Sequence, residues 1–251
     1  MEKTKKVYFS SARIAVIAMF AALTGILYIL KFPLPFAFPG FLEFKFADVP
    51  ALIASFALGP VSGAITVTAG LLLKLVIKGT STMFVGDLSD LITTCALAVT
   101  AGIIYKKRRT FKGALCAMAA GTLAEVIIAL LVNRFILVPF YVEVMFKGNW
   151  APLIKMMTPL FPDCTQETFY TFYIWVSVLP FNLLRCIVAV LVTLPVYKRI
   201  SVLINRFNDK LTPKNDGDGT KERKINIITL CAGLAAIALL MLFALLQYFV
   251  F

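Results

Sequence analysis

Histidine is absent from this 251-residue sequence. Its absence removes imidazole acid–base chemistry, histidine-activated nucleophiles and histidine metal ligation together. Cysteine is sparse and unpatterned: Cys95, Cys116, Cys164, Cys186 and Cys231 show no CxxC or other ligand spacing. Four of them fall in apolar runs and read as small hydrophobes, while Cys164 falls in a polar connection without an obvious partner. No GxxxxGK phosphate loop is present, so ATP hydrolysis by that route is excluded. Acidic residues are few, 13 against 25 Lys and Arg. The resulting charge of +12 is spread among short loops rather than gathered into an arm or patch, which argues against a nucleic-acid partner. Nothing in the sequence points to an enzyme, a cofactor or a bound metal.

What the sequence has in abundance is apolar length. Hydrophobic residues make up 60% of the chain, and the mean hydropathy is +0.89. No soluble domain buries that much, so the composition specifies an all-α integral membrane protein. Apolar runs extend over Ala12–Leu30, Pro60–Ile77, Leu88–Tyr105, Gly113–Val138, Phe172–Tyr197 and Ile225–Phe251. The first run is too long for a cleavable leader and lacks a small-x-small cleavage pattern. Between the first two runs, FLEFKFADVPALIASFALGP begins with strand-like alternation and turns helical at Asp48. Its apolar part is too short to cross a bilayer of about 30 Å. It forms either an interfacial turn or a short helix enclosed by protein. Asp48 suits an N-cap, Pro50 the first turn, and Gly59-Pro60 a stop followed by a new start.

The basic residues sort by side when the short helix is counted as a crossing. With the N-terminus inside, seventeen Lys and Arg fall on inside segments and five (Lys31, Lys45, Lys78, Lys147, Lys155) on outside loops; Lys74, Arg134 and Arg185 lie within spans. Positively charged loops stay cytoplasmic, so this asymmetry predicts a cytoplasmic N-terminus. The division expected is a membrane domain over 1–207, a polar linker over 208–224 (NDKLTPKNDGDGTKERK) and an additional transmembrane helix over 225–251.

Three features carry functional information. Lys74, Glu125, Asn133, Arg134, Asn182 and Arg185 are polar residues inside predicted spans, where such groups face a cavity or a partner. Glu125 and Arg185 each stand twelve residues from the cytoplasmic end of their run, so they can share a depth and form a structural ion pair. Second, Ser11, Ala15, Ala18, Ala22 and Gly25 form a small-residue stripe on the first helix. Such a stripe serves close packing within the chain or docking on another subunit, and spacing alone leaves both open. Third, the Phe- and Pro-rich loop Phe32–Phe46 and the segment KGTSTMFVGDLSD offer apolar walls with a few polar groups, as a flat, partly polar ligand requires. Phe and Pro are also ordinary interfacial anchors.

The stretches FKFADVPALIASFALGPVSGAI, LLKLVIKGTSTMFVGDL and LPFNLLRCIVAVLVTLPVYKRIS resemble the riboflavin-specific S component of energy-coupling factor transporters. The resemblance runs from about Ala12 to Ile204 with the elements in the same order. It implies a six-helix membrane bundle with a short second helix, Asp48–Leu58, and a lid strand, Phe41–Ala47, over a vitamin site. It implies a docking face at Ala15, Ala18 and Ala22 for a transmembrane coupling subunit, which in turn holds two cytoplasmic ATPases. It places polar ligand contacts at Asn133, Asn182 and Arg185, with Phe41, Glu43, Phe44 and Lys45 of the covering loop and Thr80 of KGTST as further candidates. Arg185 stands where the family carries Lys, and the seventh span is a second departure.

The expected function is therefore capture of riboflavin or FMN at the outer face of a bacterial plasma membrane, with lipid, the coupling subunit and the ATPases as partners. The alternatives are an S component for another vitamin, an autonomous proton-coupled transporter using Glu125 or Asp90, and a membrane scaffold without a substrate.

Overall fold

In the computed structural model the described residues are 7–8, 11–211 and 224–225, with side chains from 11 to 196 except 12. Strand β1 (Val7–Tyr8) pairs antiparallel with β4 (Lys224–Ile225). Beyond Ile225, the expected last span over 225–251 lies outside the described residues.

The fold is a helical bundle. Four helical runs among the described residues are long and apolar enough to cross a membrane: Pro60–Lys78, Val85–Lys107, Phe111–Met145 and Thr171–Val196. The first helix, α1 (Ser11–Ile29), has a shorter apolar part, Arg13–Ile29. Next come β2 (Phe32–Pro33) and β3 (Glu43–Phe44), which pair as an antiparallel hairpin with Phe32 opposite Phe44 and Pro33 opposite Glu43. The hairpin feeds directly into α2 (Asp48–Leu58), α3 (Pro60–Lys78) and α4 (Val85–Lys107). Helix α5 (Phe111–Val132) continues to Met145 through π-wound turns at Asn133–Leu137 and Tyr141–Met145. A short α6 (Ala151–Met157) lies in the following connection. The last described helix enters through a π-wound segment, Thr171–Val178, and continues as α7 (Leu179–Leu211).

Helix α2 is the keystone. Every one of its residues is buried, which is how eleven residues persist at membrane depth: protein rather than lipid surrounds them. The tight fit depends on missing side chains. The Ser55 hydroxyl donates to the Ala98 carbonyl of α4 at 2.5 Å. A Cβ at Gly102 would stand 2.1 Å from Ser55 Oγ, and one at Gly63 of α3 would stand 2.7 Å from Ser55 Cβ. Helices α3 and α4 therefore close on α2 at their glycines. At the far end, Gly59 adopts φ 93°, accessible essentially to glycine alone, and lets α3 start at once with Pro60 in its first turn. Arg13 of α1 closes this corner, donating to the Leu58 carbonyl and, at 3.0 Å, to Ser62 Oγ.

The structure corrects two expectations. Helix α2 starts at Asp48, yet Asp48 makes no capping bond; Ala47 occupies the cap position without a side-chain bond. Asp48 is fully buried and turned into the bundle, toward Arg185. Leaving the buried Arg185 without a carboxylate partner would cost more than a cap worth about 1 kcal/mol. The small-residue stripe of α1 also divides. Ala15, Ala18 and Ala22 are exposed, with Ile14, Met19, Leu23 and Ile26 on the same open side. Gly25 is buried against α3, where a Cβ would meet the Gly70 carbonyl at 3.0 Å. Gly70 is in turn closely covered by Thr24 and Ala21. The tight α1–α3 contact is thus made by Ala21, Thr24, Gly25 and Gly70, leaving the three alanines free of it.

Candidate functional site

Beneath the β2–β3 hairpin lies a cavity of about 120 Å³. Its wall combines the hairpin residues Phe41, Leu42, Glu43 and Lys45 with side chains from five helical runs, among them Tyr28, Lys74, Asp87, Asp90, Asn133, Tyr141, Phe181, Asn182 and Arg185. Aromatic contacts hold the hairpin down. Phe38 packs edge-on against Phe181 of α7 at 5.2 Å, and Phe41 meets Tyr173 at 5.6 Å. Phe44 is buried between Phe32 and Phe46. Lys31 at the end of α1 pairs with Glu43 across the hairpin.

Four further ion pairs frame the cavity, two of them shared by Arg185. Lys45 reaches from the hairpin to Asp90 of α4, with its ammonium 4.8 Å over the Tyr28 ring. Burial lowers the pKa of Lys45, and the Asp90 charge opposes that shift. Lys74 of α3 pairs with Asp87 of α4 at 2.5 Å, and Thr80 donates to the second Asp87 oxygen at 2.6 Å. Arg185 of α7 is held by Asp48, Nε to Oδ2 at 3.0 Å, and by Glu125 of α5. The suspected Glu125–Arg185 pair is therefore present, with Asp48 as an unforeseen third member. All three are almost wholly buried, as charges at this depth must be when paired.

Two asparagines complete the polar set. Asn133 starts the π-wound turn of α5; its Nδ2 donates to the Ala129 carbonyl at 2.7 Å and its Oδ1 accepts from Tyr173 Oη at 2.5 Å. Asn182 donates to the Val178 carbonyl at 2.8 Å, which leaves its own carbonyl oxygen and a second amide hydrogen for a ligand. Wide turns expose backbone and re-aim side chains, and they concentrate at functional sites. Here Asn133 and Tyr173 sit in two such turns and bond to each other.

Of the residues singled out from the sequence, Phe41, Glu43, Lys45, Asn133, Asn182 and Arg185 line one cavity. Phe44 and Thr80 do not. Phe44 packs the hairpin from within, and Thr80 organises its loop by donating to Asp87 and accepting from the Phe84 amide at 3.0 Å. Arg134 points away, its guanidinium stacked 3.6 Å over the Tyr170 ring. Cys164 is buried in an apolar cluster around Phe169 and Tyr173. Sequence reasoning missed Asp48 as a core anion and Tyr28 and Tyr141 as wall residues. Tyr28 lies three residues beyond Gly25 on the buried face of α1, a spacing that could have flagged it.

The family profile described as "ECF transporter, substrate-specific component" matches residues 12–197. The chain belongs to this family. The substrate-specific component is a multi-pass membrane protein and not an enzyme. It is 28% identical over 194 residues to the riboflavin transporter RibU of Staphylococcus aureus (strain TCH60), covering 77% of this chain and 93% of the relative. It is 26% identical over 181 residues to the riboflavin transporter FmnP of Bacillus subtilis (strain 168), covering 72% and 87%. Its fold resembles a solved structure described as the S component of a bacterial ECF transporter, with TM-score 0.58 and 27% identity over 78% of this chain and 98% of that one.

Proposed function

We propose that this substrate-specific component captures riboflavin from outside the cell and releases it inward when coupled to a membrane subunit and two cytoplasmic ATPases. The observation that carries this reading is the convergence of Asn133, Asn182 and Arg185 on one cavity walled by Phe41, Leu42, Leu137, Tyr141 and Phe181. A flavin needs such a set: apolar faces for a planar ring system, and amide and guanidinium donors for its carbonyl edge. Two relatives named as riboflavin transporters support the same substrate class. Phe44 and Thr80 then serve the site indirectly, by shaping the lid and by fixing Asp87.

The cavity is smaller than the roughly 150 Å³ that admits a benzene in an engineered core. A three-ring ligand is larger than this space, and the hairpin that covers it is the part of the wall proposed to move as the lid. The lid faces the outside if the N-terminus is cytoplasmic, as the distribution of basic residues supports. Ala15, Ala18 and Ala22 form the face offered to the coupling subunit. A proton-coupled mechanism has less support, because Glu125 and Asp90 are each committed to a cation.

The deciding experiment is the absorbance spectrum of the full chain purified from riboflavin-fed cells, followed by titration of riboflavin fluorescence quenching, with FMN in parallel. Flavin bands at close to equimolar ratio and saturable quenching are expected. A colourless protein that does not quench riboflavin overturns the reading.

A further inference from the structure

Arg185 carries more counter-charge than neutrality requires. Its Nε faces Asp48 Oδ2 at 3.0 Å and its Nη2 faces Glu125 Oε1, so one guanidinium stands between two carboxylates from α2 and α5. Each carboxylate is itself fixed through its other oxygen. Thr94 Oγ1 donates to Asp48 Oδ1 at 3.1 Å, and Cys186 Sγ donates to Glu125 Oε2 at 2.6 Å. A single buried pair would balance the charge, and a second desolvated carboxylate adds cost without adding neutrality. What two anchors add is orientation. A guanidinium ion-paired to groups on two different helices is held in place by charge from two sides, without aligned hydrogen bonds at Nε or Nη2. Arg185 lines the cavity, and its third nitrogen, Nη1, takes part in neither pair. Lysine could not do this, because its single nitrogen cannot face two helices and keep a separate one for a ligand. Arginine at this position and a carboxylate on either side of it form a matched set.

We propose that Asp48 and Glu125 are positioning residues for ligand recognition: they lock the Arg185 guanidinium so that Nη1 meets the carbonyl edge of the bound ligand. This rests on the flavin reading above and adds to it two residues that do not themselves touch the ligand. Asp48 is also the first residue of α2, immediately beyond the hairpin. The lock therefore ties the root of the lid to the group that greets the ligand.

The test uses the full chain in detergent and compares wild type with Asp48→Asn, Glu125→Gln, Arg185→Gln and the double variant Glu125→Gln/Arg185→Gln. Arg185→Gln alone leaves two buried carboxylates uncompensated and can fail to fold; the double variant removes one of them and keeps the comparison readable. Riboflavin affinity and the absorption band of bound flavin are measured, with thermal stability as a control. Asp48→Asn and Glu125→Gln should each weaken riboflavin binding by about five-fold or more, the loss of roughly one well-placed hydrogen bond. Their bound-flavin bands should move toward that of the variants lacking Arg185. Adding Glu125→Gln to Arg185→Gln should cost no further affinity, because the carboxylate has nothing left to position. Wild-type affinity and an unmoved band in both carboxylate variants would overturn the proposal, as would a full additional loss in the double variant. Failure of the wild type itself to bind riboflavin would instead strike the flavin reading, and this inference with it.

Discussion

At the scale of single residues, the site is built from groups whose local bonds are partly spent. Asn182 uses one amide hydrogen on its own helix and retains a donor and an acceptor beside the cavity. Asn182→Ala is therefore predicted to weaken riboflavin binding by about 1–3 kcal/mol, the cost of stranding a ligand group unpaired. Fluorescence-quenching titration reads this directly, and unchanged affinity would remove Asn182 from the site. Gly102 makes a separate, purely structural prediction. Because a Cβ there would stand 2.1 Å from Ser55 Oγ, Gly102→Ala should destabilise the bundle by about 1–3 kcal/mol. Adding Ser55→Ala should recover part of that loss, since it deletes the clashing oxygen. Thermal unfolding in detergent measures both; equal melting of Gly102→Ala and wild type would show that the helices can part without cost. Sequence alone made Asn182 and Arg185 legible, because two polar residues three apart in an apolar run must share a protected face. It did not reveal Asp48 beside Arg185. They are far apart in the chain, and an aspartate before a proline-containing helix has a local explanation, the N-cap, that hides the tertiary one.

At the scale of elements, the length of each apolar run was the most readable signal. A run too short for the bilayer left an interfacial turn or a helix enclosed by protein, and the complete burial of α2 selects the second. The hairpin was readable as alternation around Glu43 and Lys45, but its pairing with Phe32–Pro33 was not, since two-residue strands carry almost no pattern. The π-wound turns were equally invisible, because one surplus residue barely disturbs hydrophobic periodicity. Helix α1 shows where pattern reading merges two faces into one: Gly25 shares the spacing of the alanines but packs inward on Gly70. The exposed alanines remain the face on which docking is proposed. Ala18→Trp and Ala22→Trp should block copurification with the coupling subunit while leaving riboflavin affinity unchanged, because neither side chain is buried. Normal assembly of both variants would remove the docking role from this face.

At the scale of the whole molecule, polarity is organised in layers. The buried charges gather under the hairpin, whereas Lys106, Lys107, Arg108 and Arg109 are exposed at the opposite end of α4. This separation is what a vitamin importer requires: a closed polar chamber at one face and a cationic rim at the other. Among the described residues, every one that lines the chamber lies before the polar linker. Deletion of Asn208–Phe251 is accordingly predicted to leave riboflavin binding within about two-fold of the full chain, a change too small to represent a lost hydrogen bond. Loss of binding in a truncated chain that still unfolds cooperatively would show that the last span completes the site. The composition made the membrane class legible. The chamber was not, since it draws side chains from the hairpin and five separate helical runs and no window of sequence contains it.

The wide turn at Asn133–Leu137 has a consequence for how such a chamber changes over generations. A π-wound turn is a helix with one residue to spare. A lineage that loses a single codon between Phe135 and Leu137 keeps a continuous helix, because the surplus is absorbed as an ordinary α-turn. Everything beyond the lost residue keeps its place around the axis, because the wide turn carries its extra residue within a single turn of helix. Tyr141 would stay in the chamber wall, while Asn133 would lose the widened turn in which it sits. In aligned relatives such an event would stand as a one-residue gap in the middle of a membrane helix, far from any loop, and would mark a protein that keeps its chamber wall but holds Asn133 differently.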